Sequence, residues 1–178
     1  MMRFSFSPAA FGRDQRGVSA VEFALIAPLM IAMYFGMCEF AQGYMAQKRT
    51  GHVASVVADL AAQDDVLTTL EVNDIFAAGQ TIMRPYPVNE LTQRLSSVTV
   101  DSNGIARIDW SRGSGMTPRA VASTVPLPAG LAARGESVIF SEVGFNYRSP
   151  IGAFLPGATR FNRVYYLRPR MVDKVLLA

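Results

Sequence analysis

The residue with the clearest chemical potential in this sequence is Glu22, a carboxylate near the start of a long apolar run. From Val18 to Cys38 the chain has 21 residues and no other charged side chain. An acid in a membrane segment costs on the order of 3 kcal/mol at its centre and less near the interface, and such groups are usually paired. Two roles for Glu22 follow. It reaches back to headgroups and the positive helix N-terminus, or it pairs with a cation of a neighbouring chain, such as an exposed α-amino group.

The other reactive side chains form no catalytic or metal-binding pattern. His52 is the only histidine, and no metal-ligand spacing surrounds it. The adjacent acids Asp64 and Asp65 are typical of a solvated helix end, and residues 113–115 are typical of a flexible turn. The sequence has no nucleophile elbow, P-loop or dinucleotide glycine pattern. We therefore predict a protein that is not an enzyme and has no metal, cofactor or small-molecule substrate.

The apolar run itself predicts a membrane helix. At about 1.5 Å per helical residue it spans roughly the 30 Å of bilayer hydrocarbon. Arg13 and Arg16 precede it, and the positive-inside rule keeps such a leader in the cytoplasm. A cleavable secretory signal is the main competing interpretation, but its apolar region is only about 7 to 15 residues long and ends in a small-residue cleavage site. Cys38, the only cysteine, excludes an intrachain disulfide and indicates apolar packing or a crosslink between subunits.

The junction between leader and apolar run resembles the type IVb prepilin cleavage motif, in which a glycine precedes the cut, the fifth mature residue is Glu and the sixth is aromatic. Here these positions are occupied by Gly17, Glu22 and Phe23. Residues 20–29 and 36–40 are similar to TadE-like pseudopilins of the tight-adherence (Flp) pilus. The resemblance covers about residues 13 to 63.

This resemblance implies a precursor that a membrane-embedded aspartyl prepilin peptidase cuts after Gly17, leaving Val18 as the new N-terminus. Glycine lets the backbone enter a narrow protease cleft in an extended shape. The resemblance also implies that the Val18 amine pairs with Glu22 of an adjacent subunit. Its expected partners are the peptidase, other pilins, the pilus assembly machinery and membrane lipid. The expected location is the bacterial inner membrane, with one pass, a cytoplasmic N-terminus, a periplasmic C-terminal domain and incorporation into a pilus.

The helical pattern continues past the apolar run to Gln63. Above the membrane, Val53, Val56, Val57 and Leu60 recur at spacings of three and four, which indicates an apolar stripe. Pro28 removes a backbone donor, so we predict a kink near it. Small residues let helices approach closely, and three of them are candidates for helix packing: Ala32, Gly36 and Gly43.

The pattern predicts an α+β fold of pilin-like outline, with a long transmembrane helix, a second helix and a small antiparallel sheet. The expected organisation has four parts: a basic leader at 1–17, a transmembrane helix at 18–41, its extracytoplasmic extension at 42–63 and an extracytoplasmic α+β domain at 64–178. Thr68 and Glu71 fit a capping box that opens the second helix, which ends at Pro85 and Pro87. We expect this helix to pack on the sheet through Leu70, Ile75, Phe76, Ile82 and Met83.

A hairpin is the strongest strand signal. Ser97 to Asp101 alternates, Asn103-Gly104 supplies a turn, and Ile105 to Trp110 returns. Gly, Pro and Ser indicate loops at residues 112–115 and 126–135. Further strands are predicted at 138–147 and 161–167, joined by a loop at 150–157. Phe154 and Leu155 in that loop are candidates for contact with the bilayer or a partner, or for ordinary anchoring of the loop.

The charge of the mature chain removes the main support for a nucleic-acid partner, and none is expected. The chain has a net charge of +3 and a pI of 9.3, but loss of the leader leaves 14 basic and 13 acidic side chains. From residue 146 on, the basic residues face only Asp173. They are Arg148, Arg160, Arg163, Arg168, Arg170 and Lys174. This unevenness indicates either solvated strand faces or a surface for anionic headgroups or an acidic partner.

Three functions are compatible with this organisation. The leading hypothesis is a structural minor pilin or pseudopilin that is cut after Gly17 and takes part in assembly of a tight-adherence pilus. The first alternative is an uncleaved single-pass anchor or scaffold whose outer domain binds other membrane components. The second is a secreted binding domain cut beyond the apolar run. The mature N-terminus distinguishes the three.

Overall fold

The longest element is one helix, α1, which spans Val18–Gln63 and has 46 residues. The computed structural model describes residues 17–150, 152 and 159–178. The leader charges Arg13 and Arg16 and the loop residues Phe154 and Leu155 lie outside the described residues. Helix α1 continues through Pro28 and ends at the residue that the sequence predicted.

Helix α2 spans Thr69–Met83 and begins with the predicted capping box. The Glu71 amide donates to Thr68 Oγ1 at 3.3 Å, and the Thr68 amide donates to Glu71 Oε2 at 2.7 Å. These reciprocal bonds satisfy two backbone donors that the first helical turn leaves without partners. Bonds from the Thr68 backbone and side chain also hold the pKa of the Glu71 carboxyl below its usual value. The prediction of this helix start is confirmed.

The buried face of α2 differs from the predicted one. Leu70 is 76% exposed, whereas Val72 and Gly79 are buried. The buried residues follow helical spacing from Val72 to Met83, and Leu70 lies off that stripe. The helix packs mainly against α1 and makes a smaller contact with the sheet. Gly79 is where these elements meet, because a Cβ there would lie 3.1 Å from Val53 Cγ1 and 2.1 Å from Gln93 Oε1.

The main sheet has four antiparallel strands, β2 (Leu91–Val100), β3 (Ala106–Ser114), β4 (Ser137–Tyr147) and β5 (Thr159–Leu167). Their order across the sheet is β3-β2-β4-β5. A 3₁₀ turn at Val88–Glu90 leads into β2. A separate parallel pair joins β1 (Val66–Leu67) to β6 (Leu176–Leu177). The predicted α+β fold, with a long helix, a second helix and a small antiparallel sheet, is confirmed.

The predicted hairpin forms, but its strands are longer than the alternation indicated. Residues 112–114, predicted as a loop, belong to β3, and Gly113 pairs with Arg94. The loop prediction is wrong because glycine here has a packing role. A Cβ on Gly113 would lie 1.9 Å from the Met116 carbonyl oxygen, so only glycine lets the chain fold back this closely.

The sheet has two covered faces. One face packs on α1, and its buried side chains include Leu95, Ile139, Val143 and Phe145. The opposite face carries a smaller cluster under the β3–β4 connection. That cluster consists of Val98, Val100, Ala106, Ile108, Val125, Val138 and Phe140, with Leu127 and Leu131 packed against it.

The C-terminal segment ties the sheet to the end of α1. The Arg170 amide donates to the Ala62 carbonyl at 2.9 Å, and Trp110 Nε1 donates to the Val175 carbonyl at 2.9 Å. Ser137 Oγ donates to the Asp173 carbonyl at 2.6 Å. We call the described residues after α1, which are 64–150, 152 and 159–178, the head. These bonds fix the head on α1.

Candidate membrane and assembly segment

Helix α1 has two halves with different surroundings. We call residues 18–38 the lower half and residues 39–63 the upper half. Every residue of the lower half is exposed or half-buried, and Phe23, Leu25 and Leu29 are each at least 70% exposed. Its apolar stretch has a mean hydropathy of 1.9, and none of it is buried by the head. Among the described residues this is the one helix long and apolar enough to cross a membrane.

Gly17 lies directly before α1 at its N-cap position, with φ −90° and ψ −11°. It is exposed, and a Cβ built there would meet nothing within 4 Å. Many residue types adopt this backbone conformation. The fold therefore does not require glycine at this position.

Glu22 and Phe23 both lie on the half of α1 that the head does not cover. Phe23 is 72% exposed and Glu22 is also exposed. Within the part of the chain that the structure describes, Glu22 has no hydrogen bond or ion pair. The carboxylate is thus available to a group outside this part of the chain, and the predicted pairing with a neighbouring amine stays a prediction.

The predicted helix-packing residues fall in different environments. Ala32 is exposed, Gly36 is half-buried and Gly43 is buried. Gly43 lies in a groove between α1 and β5 that Phe161 also lines. It therefore faces the chain's own head, whereas Ala32 and Gly36 lie on the uncovered half. The kink at Pro28 and the close packing of helices stay predictions.

The sequence did not predict the burial of Glu39, which is fully buried at the start of the upper half. Burial raises the pKa of the nearby Tyr147 hydroxyl, and the negative charge of Glu39 also raises it. Next to this acid, Tyr86 Oη donates to the Gln42 carbonyl at 3.0 Å. A signal was present in the sequence, because small residues follow Glu39 at spacings of three and four. The buried members are Gly43, Ala46, Thr50, Val53, Ala54, Val57, Ala58, Ala61 and Ala62.

A second contact zone fixes the two helices together. Arg49 Nη1 donates to the Ile82 carbonyl at 2.9 Å and to the Arg84 carbonyl at 2.6 Å. Ile82 lies in the last turn of α2 and Arg84 is its C-cap residue, and carbonyls at a helix C-terminus have no partner within their own helix. A cation is also favourable at the negative end of the helix dipole. The upper half therefore holds α2 by a charged cap as well as by apolar contacts.

The uneven charge of the C-terminal part is largely balanced in the fold. Arg168 pairs with Glu136 at 2.8 Å, Lys174 pairs with Asp109 at 2.5 Å, and Arg170 pairs with Asp59. Arg148 lies 3.9 Å from Glu90. These acids are distant in sequence, so the count of charges after residue 146 could not reveal them. Within the described part of the chain, Arg160 and Arg163 have no carboxylate partner.

The strongest ionic cluster lies on the sheet face opposite α1. Glu142 accepts two hydrogen bonds from Arg94, both at 2.6 Å, and two from Arg119, at 2.8 and 2.9 Å. Burial alone would raise the pKa of the Glu142 carboxyl, but these bonds outweigh it and hold the pKa below its usual value. Both oxygens of the Glu142 carboxylate accept bonds from the two arginines, one in β2 and one in the β3–β4 connection. The cluster therefore stabilises the contact between the sheet and this connection.

The uncovered lower half and its N-terminal junction form the candidate functional surface, and their sequence matches a known family. Residues 17–59 match the family model of TadE-like proteins. The predicted resemblance to TadE-like proteins is thereby confirmed, whereas cleavage at the junction stays a prediction. The match begins at Gly17 and ends within α1, so the TadE-like segment covers most of α1 and none of the head. Searches of curated proteins and of solved structures found no match.

The family match supports a coarse functional statement. TadE-like proteins are structural and non-enzymatic, and they are associated with the tight-adherence pilus. No group of three or more His, Cys, Asp or Glu side chains among the described residues could hold a metal ion. The TadE-like segment contains a helix that could span a membrane once. The end of the membrane segment at residue 41 stays a prediction.

Proposed function

We propose that this chain is a minor pilin or pseudopilin of a tight-adherence (Flp) pilus, made as a precursor and cut after Gly17 by a prepilin peptidase. The observation that carries the proposal is the coincidence of two boundaries. The TadE-like match begins at Gly17, and α1 begins at Val18. In the membrane the leader is cytoplasmic, and the head lies on the periplasmic side of the inner membrane. Assembly then draws the lower half into a bundle of neighbouring helices.

Cleavage after Gly17 is supported by the presence of a glycine that the fold itself does not need. The position is exposed and has room for a side chain, so a structural need for glycine is absent. A protease that takes the backbone into a narrow cleft does need a small residue there. Glycine at this position is thus explained by recognition of the precursor.

The pairing of Glu22 with the Val18 amine of a neighbour is supported by the uncovered position of the carboxylate. Cleavage converts the Val18 amide nitrogen into a charged amine at the start of α1. A carboxylate and an ammonium group attract each other strongly where water is scarce, and intramembrane charges are usually paired for this reason. The pair would fix the register between adjacent subunits.

The test of processing is the intact mass and N-terminal residue of the membrane-extracted protein, produced with and without a cognate prepilin peptidase. The wild type should start at Val18 only when the peptidase is present. Gly17→Trp should remain uncut, whereas Gly17→Ala, which adds one methyl group at the same open position, should still be cut. Equal cleavage of the Trp variant would contradict recognition of Gly17.

The test of pairing is pilus incorporation of Glu22→Ala. This variant should still be cut after Gly17 but should enter pili less than the wild type, because the new Val18 amine loses its partner. Glu22→Asp keeps the charge and serves as the control. Normal piliation by the Ala variant would refute the pairing while leaving the processing proposal intact.

The second candidate function is an uncleaved membrane anchor or scaffold. It is favoured by the extent of the family match, which stops at residue 59 and leaves the head outside. A head that packs on the upper half of α1 around one apolar cluster and carries a second could bind other membrane components without assembly into a pilus. An intact Met1 in the presence of the peptidase would support this candidate over the first.

A further inference from the structure

With the membrane insertion of the proposed function, the head begins at the level of the lipid headgroups. The headgroup layer on each side of the hydrocarbon is about 5 to 7 Å thick, which corresponds to about four or five helical residues. If the lower half fills the hydrocarbon, residues 39–43 cross this layer. Tyr86 already contacts α1 there, through its bond to the Gln42 carbonyl, and Phe161 lines the groove at Gly43. No spacer separates the head from the membrane surface.

The end of the head at this level is formed by three short stretches. They are residues 86–90, residues 146–150 and the start of β5. Tyr86, Glu90, Tyr147 and Arg148 line one shallow pocket at this end. Because Tyr147 pairs with Thr159 across the β4–β5 ladder, the start of β5 lies beside the end of β4.

Two arginine side chains at this end are exposed to solvent, and that of Arg160 lies beside Gly144, where an added Cβ would be 3.3 Å from its Nη2. The Arg148 side chain is 73% exposed and lies 3.9 Å from Glu90, too far for a hydrogen bond. Arg160 is exposed, and its Nε donates to Asn162 Oδ1 at 3.2 Å. The Glu90 side chain is only 23% exposed, and Glu39 is fully buried. The solvent-accessible charge at this end of the described head is therefore positive.

Exposed aromatic rings lie at the same level of α1. Phe40 is 69% exposed and Tyr44 is 48% exposed. Aromatic side chains are enriched where membrane proteins cross the bilayer interface, because one end of the ring system is apolar and the other polar. Rings and guanidinium groups at one height are the combination that a phospholipid surface contacts.

At the opposite end of the head, Arg107 pairs with Asp101 at 3.0 Å and Arg168 pairs with Glu136 at 2.8 Å. Arg134 at that end is exposed and has no carboxylate partner among the described residues. Both ends therefore carry an exposed arginine without an acidic partner, and the membrane-proximal end differs by its exposed aromatic rings.

We propose that the membrane-proximal end of the head binds anionic phospholipid headgroups, with Arg148 and Arg160 contacting lipid phosphates at the level of Phe40 and Tyr44, which line a groove with the start of β5. A guanidinium group suits this contact because it binds phosphate oxygens through two parallel hydrogen bonds. This inference rests on the membrane insertion in the proposed function. It adds that the head itself contacts the inner membrane before the subunit enters a pilus.

The test is hydrogen–deuterium exchange of the full chain in lipid nanodiscs. One set contains phosphatidylcholine alone, and the other contains phosphatidylcholine with phosphatidylglycerol. Exchange in residues 86–90 and 146–150 should be slowed by the anionic lipid, about fivefold for each arginine engaged, and the effect should weaken at high salt. Exchange in residues 101–105 and 128–136, at the far end, should be the same in both lipids.

The matched variants have the same loss of charge. Arg148→Gln with Arg160→Gln should remove the lipid dependence. Arg112→Gln with Arg134→Gln, which alters two exposed arginines away from the membrane-proximal end, should retain it. Equal exchange in both lipids, or retained dependence in the first variant, would overturn the inference. A chain that fails to enter nanodiscs would overturn the membrane premise of the proposed function as well, so the two failures are distinguishable.

Discussion

The two halves of α1 belong to one continuous helix, but the head covers only the upper half. All the buried residues of α1 lie in the upper half, and most are Ala, Gly, Thr or Val. The lower half presents large apolar side chains such as Phe23, Leu25 and Leu29, and the head covers none of its apolar stretch. Small residues allow a helix to approach a sheet closely, whereas large ones suit contact with lipid chains. The residue sizes along α1 therefore indicate which half of the helix is covered by the head of the same chain.

The largest expected effect comes from placing a charge in each half. Val57→Lys should unfold the head, because Val57 is completely buried and a lysine there has no partner. Met33→Lys should leave head stability unchanged but weaken membrane insertion by about 3 kcal/mol. Thermal unfolding in detergent measures the first effect, and carbonate extraction of membranes measures the second. A loss of head stability in the Met33 variant would show that the halves are not independent.

The next effect compares two carboxylates. Glu142→Ala should lower the free energy of unfolding of the head by about 3 kcal/mol, because it leaves two half-buried arginines without their acid. Glu22→Ala should leave that free energy unchanged. Because the pKa of Glu142 is lowered in the fold, its stabilisation is present above the ordinary value of 4.5 and is lost as the pH falls through its folded value.

Urea unfolding of the head between neutral pH and pH 3 measures both parts of this prediction. Glu142→Gln should give a flatter pH dependence than the wild type in the acid range. A wild-type curve with the same slope as the Gln variant would contradict the role given to this ionic cluster.

A smaller effect on head stability is expected when one alanine in each half of α1 is enlarged. Ala58→Leu adds three carbon atoms to a fully buried position of the upper half and should destabilise the head by about 2 kcal/mol. Ala32→Leu adds the same atoms to an exposed position of the lower half and should not change head stability. Denaturant unfolding of both variants in the same detergent provides the comparison. Equal destabilisation would mean that the lower half packs on the head in solution.

The smallest effect tests how far α2 contributes to covering the upper half. Thr68→Ala removes the capping box and should cost about 1 kcal/mol. Thr69→Ala, one residue later, alters an exposed threonine that caps nothing and is the control. The melting temperature of the head should fall only in the Thr68 variant, and an equal fall in both would contradict the capping role.

The sequence predicted those features that depend on local signals. The apolar run, the capping box of Thr68 and Glu71, and the Asn103-Gly104 hairpin each need only neighbouring residues. These signals were sufficient for the α+β fold and for the TadE-like segment. The site residues Gly17 and Glu22 were likewise chosen from a local motif, and their roles remain proposals.

The features that the sequence did not predict depend on distant contacts. Tyr86 bonds to the Gln42 carbonyl and Tyr147 lies near Glu39, so residues from distant parts of the head meet the start of the upper half, where Glu39 is buried. The strand at Gly113 requires Met116 to fold back over it, and the short β1–β6 pair joins residues more than a hundred positions apart. The acid partners of the C-terminal arginines come from other elements in the same way. Periodicity and composition carry no information about such pairs.

The most direct test of the account is the accessibility of single cysteines in native membranes. The Met30→Cys and Asn103→Cys variants are made in a Cys38→Ser background and treated from the periplasmic side with a membrane-impermeant maleimide. Met30 is 62% exposed on the isolated chain, so only lipid or neighbouring subunits could shield it. We expect rapid labelling at position 103 and none at position 30 until the protein is unfolded in detergent. Equal labelling of both variants in intact membranes would contradict it.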